Sequence, residues 1–189
     1  MTDDPTSVVT VSLTIDGQTV EVPEGTSIHK ACESAGIYTP TLCWAENLTP
    51  VNVCRVCVVE VEGQRALVPS CARPAEEGMV VETESERVKH SRKMVLEFLG
   101  SGVDLDQAPE LQKWMDHYGS DTSRYDQYEL PALRMGEAPK IQDNLYIRDY
   151  DRCVLCYKCV EACGDDAQHT YAIAVSGRGF DARISTEFD

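Results

Sequence analysis

Basic residues are scarce in this chain of 189, with 17 Lys and Arg against 32 Asp and Glu and a formal net charge of −15. Nucleic acid and anionic membrane surfaces are bound through a basic face, so this balance argues against both. No apolar run approaches the roughly 20 residues of a membrane-spanning helix. Met1-Thr2-Asp3-Asp4-Pro5 has neither a basic region nor an apolar stretch and does not read as a secretory signal. There is no G-x-G-x-x-G or P-loop pattern to cradle a phosphate. No Ser-His-Asp set or carboxylate pair stands out, so no catalytic residue is assigned. Ser176-Gly177-Arg178-Gly179-Phe180 carries two glycines but reads as a turn. What remains is globular composition, 42% hydrophobic and 26% charged, enough for one ordinary domain or two small ones.

Cysteine, by contrast, is plentiful. The nine are Cys32, Cys43, Cys54, Cys57, Cys71, Cys153, Cys156, Cys159 and Cys163. In an acidic chain without a secretory signal they read as metal ligands of a cytoplasmic protein rather than as disulfides. Five lie in residues 32–71 and four in 153–163, and the 81 residues between these groups contain none. The chain therefore divides into two chemical units.

The first unit reads as a sheet with one helix. Val9, Val11, Leu13 and Ile15 alternate with polar residues, the period of a half-buried strand. Asp16-Gly17 supplies a hairpin turn, and Val20 and Val22 start the return strand. Thr26 or Ser27 caps a short helix with Ile28, Ala31, Cys32 and Ala35 on its apolar face, stopped by Gly36. On this face Cys32 is a small buried hydrophobe. Further strands are expected at residues 57–61, 66–68 and 79–81. A helix should follow from about Glu86 to Leu99, capped by Ser85, with Val88, Arg92, Val95, Leu96 and Leu99 on one face. Residues 100–140 are polar and broken by Pro109, Pro131 and Pro139. They read as a connector with little core of its own, with Leu111 to Tyr118 as a helix within it. His90 and His117 read as solvated or capping residues.

Cys43, Cys54, Cys57 and Cys71 follow C-x10-C-x2-C-x13-C. Four soft thiolates select zinc or an iron–sulfur centre. Zinc knuckles normally use two C-x2-C pairs, and here there is one. The asymmetric arrangement is nearer the plant-type [2Fe–2S] pattern, though with a longer first interval. Cys153, Cys156, Cys159 and Cys163 follow C-x2-C-x2-C-x3-C, the run that wraps a [4Fe–4S] cube. In two-cluster ferredoxins the fourth cysteine serves the other cube. This chain has no second run, so either Cys163 completes its own cube or a further ligand comes from a partner or a C-terminal continuation. Arg55, Arg152 and Lys158, beside or between these cysteines, suit stabilisation of reduced, more negative clusters.

The segments Thr39-Pro40-Thr41-Leu42-Cys43, residues 53–61 and Val68-Pro69-Ser70-Cys71-Ala72-Arg73-Pro74 carry a resemblance. So do residues 144–148 and 174–181 around the second run. They resemble the N-terminal iron–sulfur region shared by three groups: NAD-dependent formate dehydrogenases, the diaphorase iron–sulfur subunit of NAD-linked nickel–iron hydrogenases, and the large iron–sulfur subunit of respiratory complex I. The resemblance implies an α+β chain in parts: a flexible tail over 1–7, a β-grasp [2Fe–2S] ferredoxin-like domain over 8–84, a helical connector over 85–140, and a half-ferredoxin [4Fe–4S] segment over 141–189. The family's His-plus-three-Cys cluster motif in the connector is missing here, so that cluster is expected to be absent. Tyr157 stands where the family often has glycine. The function implied is a single-electron relay, with formate dehydrogenase preferred because residues 177–181 look most like it. A hydrogenase or complex I subunit, or a free ferredoxin-like carrier, is the alternative. Implied partners are a flavin/NAD-binding subunit and a catalytic subunit with molybdenum, tungsten or nickel–iron. The chain is expected in the cytoplasm, or at the inner face of a membrane through those partners.

Overall fold

Alternation over the first strand has its counterpart in a hairpin. A computed structural model describes residues 9–125, 138–141, 144, 145 and 147–186. In it β1 (Thr10–Ile15) pairs antiparallel with β2 (Gln18–Pro23), from Ile15 opposite Gln18 to Thr10 opposite Pro23. Asp16 (φ 48°) and Gly17 (φ 82°) both lie in the left-handed region, as a type I′ turn requires. The Asp16 carboxylate accepts hydrogen bonds from the Thr83 amide (2.8 Å) and hydroxyl (2.6 Å), which ties the turn to the residue just after Glu82.

Helix α1 (Ile28–Ser34) is capped by Ser27, whose hydroxyl accepts from the Lys30 amide. β3 (Val58–Val61), β4 (Val68–Pro69) and β5 (Val80–Glu82) complete a five-stranded sheet of order β2-β1-β5-β3-β4. β1 and β5 are parallel and every other pair is antiparallel, which is a β-grasp sheet. Ile28, Ala31 and Cys32 of α1 join Leu13, Ile15, Val22, Val59, Val61 and Val81 in one core. Each buried aliphatic side chain there contributes about 1.5–3 kcal/mol of transfer free energy. Cys32 is part of this core, as its place on the apolar face required. β4 begins later than the sequence suggests, because the turn leaving β3, closed by Gln64 N–H to Val61 C=O, uses the residues up to Leu67.

The chain forms two compact units. One comprises residues up to Leu42 with Arg55–Ser91, and the other Cys43–Cys54 with residues from Arg92 onward. α2 (Glu86–Gly102) runs three residues past the expected end. α3 (Pro109–Tyr118) has its proline at the first helical position, where no N–H is needed, and stops at Gly119 with φ 60°. The expectation of little core over residues 100–140 is corrected at Val103, Leu111 and Met115. Leu96, Val103, Leu111 and Met115 are buried, and so are Arg92 and Glu97. Arg92 Nη1 donates to the Tyr118 hydroxyl at 2.6 Å, with the guanidinium 5.5 Å from that ring's centre. Glu97 accepts from Arg124 at 2.9 Å and from the Asp121 amide at 3.2 Å. Polar residues fill part of this core once they are paired, and hydrophobic patterning alone does not register them. The proposed tail over 1–7 and residues 126–137 of the connector lie outside the described residues.

The C-terminal part has short elements. β6 (Lys140–Ile141) pairs with β7 (Ile147–Arg148), and β8 (Ile173–Ser176) with β9 (Arg183–Thr186). Between these pairs lie a 3-10 turn at Tyr150–Arg152 and α4 (Lys158–Cys163). The turn expected at 176–180 joins β8 to β9. Gly177 there has φ 73°, and a Cβ would stand 2.5 Å from the Asp181 carbonyl oxygen, so only glycine fits. Among the described residues no helix is long and apolar enough to cross a membrane.

Candidate metal centres

In the first unit the ladder between β3 and β4 positions two thiols. Val58 pairs with Pro69, so Cys57 just before β3 meets Ser70 just after β4. The Ser70 hydroxyl and amide both donate to the Cys57 carbonyl, at 2.8 and 3.2 Å. Cys57 and Cys71 are then 1% and 2% exposed, with Sγ atoms 3.4 Å apart. The Ser70 carbonyl in turn accepts from the His29 amide at 2.9 Å, which anchors the Cys71 loop to the start of α1.

In the second unit Cys43 is paired with Cys54. A hydrogen bond from the Cys54 side chain holds the Cys43 thiol down to about pKa 5. Burial opposes this, and the amides of Cys54, Val53 and Asn52 add to the lowering. Those N–H groups are donors aimed at a sulfur, the arrangement that stabilises a metal-bound thiolate. Asn52 (φ 62°) and Arg55 (φ 58°) bend the backbone on either side of Cys54.

The second run is built on the same device. Leu155 (φ 52°) and Tyr157 (φ 62°) alternate with Cys153, Cys156 and Cys159, and each left-handed residue turns the chain between thiols. The Cys159 thiol pKa is pushed up by burial first, then by the neighbouring charges of Cys156 and Cys153, so these three share one neighbourhood. Cys163 makes other contacts: its Sγ lies 3.1 Å from Thr170 Oγ1 and accepts from the Ala172 amide at 3.1 Å. The Thr170 hydrogen bond, followed by the Ile173 amide, lowers its pKa against burial. Arg152 precedes this run and is held by Asp104 (3.0 Å) and Asp149 (3.0 Å), so its charge is partly neutralised. Its Nη1 is buried without a hydrogen-bond partner among the described residues.

Among the described residues no three or more His, Cys, Asp or Glu side chains converge on one ion position. Iron–sulfur clusters do not demand that, since a thiolate-ligated iron takes two protein sulfurs in a [2Fe–2S] centre and one in a [4Fe–4S] cube. The donor set fits clusters: all-thiolate, with Cys43, Cys57 and Cys71 buried, Cys159 exposed and the other four between, and with amide donors at the Cys43 and Cys163 sulfurs. Ser70 and Thr170 escaped the sequence reading. Each stands near a cysteine in the chain, but neither spacing nor residue type announces its partner.

Two family models match the chain. A 2Fe-2S iron-sulfur cluster binding domain covers residues 9–86, and a 4Fe-4S binding domain covers residues 146–168. The first span contains Cys43, Cys54, Cys57 and Cys71, and the second contains Cys153, Cys156, Cys159 and Cys163. The NADP-reducing hydrogenase subunit HndD of Solidesulfovibrio fructosivorans is 38% identical over 95% of this chain and 32% of its own length. The mitochondrial NADH-ubiquinone oxidoreductase 78 kDa subunit of Candida albicans is 37% identical over 93% of this chain and 25% of its own length. The chain thus carries two iron–sulfur cluster binding domains and is similar to part of these oxidoreductase subunits. It spans about a quarter to a third of those relatives. Among solved structures, an NAD+-reducing [NiFe]-hydrogenase in the H2-reduced state superposes with a TM-score of 0.75 at 27% identity. That match covers 93% of this chain and 74% of the other. The iron–sulfur module thus combines an α+β [2Fe–2S] domain with a [4Fe–4S] segment.

Proposed function

We propose that this module relays single electrons within an NAD(H)-linked dehydrogenase complex. Cys43, Cys54, Cys57 and Cys71 hold the [2Fe–2S] cluster, and Cys153, Cys156, Cys159 and Cys163 hold the [4Fe–4S] cluster. When bound, such centres supply one-electron chemistry. The chain's own residues do the rest. Ser70 locks the Cys57 and Cys71 loops together, the amides at 52–54 face the Cys43 sulfur, and Thr170 with the Ala172 amide faces Cys163. The buried donor left on Arg152 suits an anionic group beside Cys153. The observation that carries the reading is the presence of two differently spaced thiol sets inside two cluster-binding domains of one chain.

A hydride delivers two electrons and each cluster takes one, so a flavin/NAD-binding partner must split the pair, and a catalytic metal subunit completes the route. The relatives' names support a hydrogenase or NADH-oxidising complex, and we place it in the cytoplasm or at a membrane's inner face. The likeness at residues 177–181 supports a formate-oxidising one. A freely diffusing carrier would also suit the acidic charge, but it would migrate alone on size exclusion of native extract, whereas a subunit co-migrates with its partners.

Anaerobic purification followed by iron and sulfide analysis tests the reading. The expected yield is about six irons and six labile sulfides per chain. Zinc without sulfide, or no metal after reconstitution, would contradict it. In the native complex, whether NADH, hydrogen or formate reduces the clusters identifies the parent system.

A further inference from the structure

Thr49 and Asp166 are 117 positions apart and are joined by two hydrogen bonds. The Thr49 amide donates to Asp166 Oδ2 at 2.6 Å, and the Thr49 hydroxyl donates to Oδ1 at 2.8 Å. One residue thus occupies both oxygens of one carboxylate, a charge-assisted, two-point contact of defined geometry. Thr49 lies in the loop between Cys43 and Cys54. Asp166 lies three residues after Cys163, in the turn that closes α4. That turn is well tied: Gln168 N–H bonds Ala162 C=O at 3.0 Å, His169 N–H bonds Gly164 C=O at 2.9 Å, and Thr170 and Tyr171 N–H both bond Cys163 C=O. The Thr49 loop has no regular secondary structure, so its position depends on contacts of this kind.

We propose that Asp166 is a positioning residue that fastens the Cys43–Cys54 loop to the second cysteine run and so fixes the electronic coupling between the two clusters. Electron tunnelling falls exponentially with separation, so a loop free to drift beside one cluster gives a broad, slow distribution of transfer rates. A two-point clasp on that loop removes the drift without touching either metal centre. The proposal rests on the ligand assignments above.

Asp166→Ala, Thr49→Val and Thr49→Ser variants of the whole chain, loaded anaerobically, test it. Two quantities are read: amide hydrogen exchange over residues 44–53, and the relaxation enhancement that each reduced cluster imposes on the EPR signal of the other. Asp166→Ala should keep wild-type iron and both signals, exchange several-fold faster at Thr49, and lose the mutual relaxation effect. Thr49→Val should shift both readouts the same way, and Thr49→Ser should restore them. Wild-type exchange and relaxation in Asp166→Ala overturn the proposal. Should that variant fail to take up iron, Thr49→Val decides by the same two readouts. A wild-type chain with two signals and no mutual effect overturns the proposal as well, whereas a wild-type chain lacking two signals overturns the ligand assignment instead.

Discussion

At the residue scale, backbone conformation explains choices that side-chain chemistry does not. Tyr157 sits between Cys156 and Cys159 with φ 62°, in the region glycine occupies at least cost. Glycine would meet no strain at this φ, and here the turn is kept with a tyrosine. Gly177 is the stricter case, since a side chain there meets both an unfavourable φ and the Asp181 carbonyl oxygen. Gly177→Ala should destabilise the protein by about 1–3 kcal/mol. The denaturant midpoint of the loaded protein checks this, and an unchanged midpoint would show that the β8–β9 turn tolerates rearrangement. The eight candidate thiols stand out by their spacing, and all of them fall inside the two cluster-binding domain matches. Ser70 was not, because its role follows from the pairing of β3 with β4 rather than from its neighbours in the chain.

At the element scale, the β1–β2 hairpin and α1 could be read from period and punctuation. Alternation, Asp16-Gly17 and the Ser27 cap are local signals. The parallel contact of β1 with β5 was not readable, since it joins Ile15 to Val81 across the whole domain. The α2–α3 region was misjudged for a different reason. Spacing placed Arg92 on the packed face of α2, whereas Glu97 counts as polar in any hydrophobic pattern, and both are buried with partners. Burial pushes the Glu97 carboxyl up, but the Asp121 amide and the Arg124 guanidinium outweigh it and hold the pKa below its usual value of 4.5. A carboxylate lowered by folding contributes stability that is present above its unfolded pKa and is lost as pH falls through its folded pKa. Thermal melts of wild type should therefore lose stability as pH drops below about 4.5, and Glu97→Gln should flatten part of that slope while lowering the melting temperature at pH 7. An acid slope identical in the variant would mean that Glu97 is not the group responsible.

At the scale of the whole molecule, the chain combines a β-grasp domain, a helical region with a partly polar core, and a short cysteine-rich segment. Two cysteine sets inside two cluster-binding domains are what support electron transfer as the proposed chemistry. The charge of −15 would favour docking on basic surfaces of the proposed partners. The most direct test of the central claim is low-temperature EPR of the anaerobic, dithionite-reduced protein beside its Cys57→Ser and Cys156→Ser variants. Two distinct signals are expected from wild type. Cys57→Ser should abolish or strongly alter the [2Fe–2S] signal alone, and Cys156→Ser the [4Fe–4S] signal alone. A wild-type protein without either signal after reconstitution, or variants that change neither, would contradict the account.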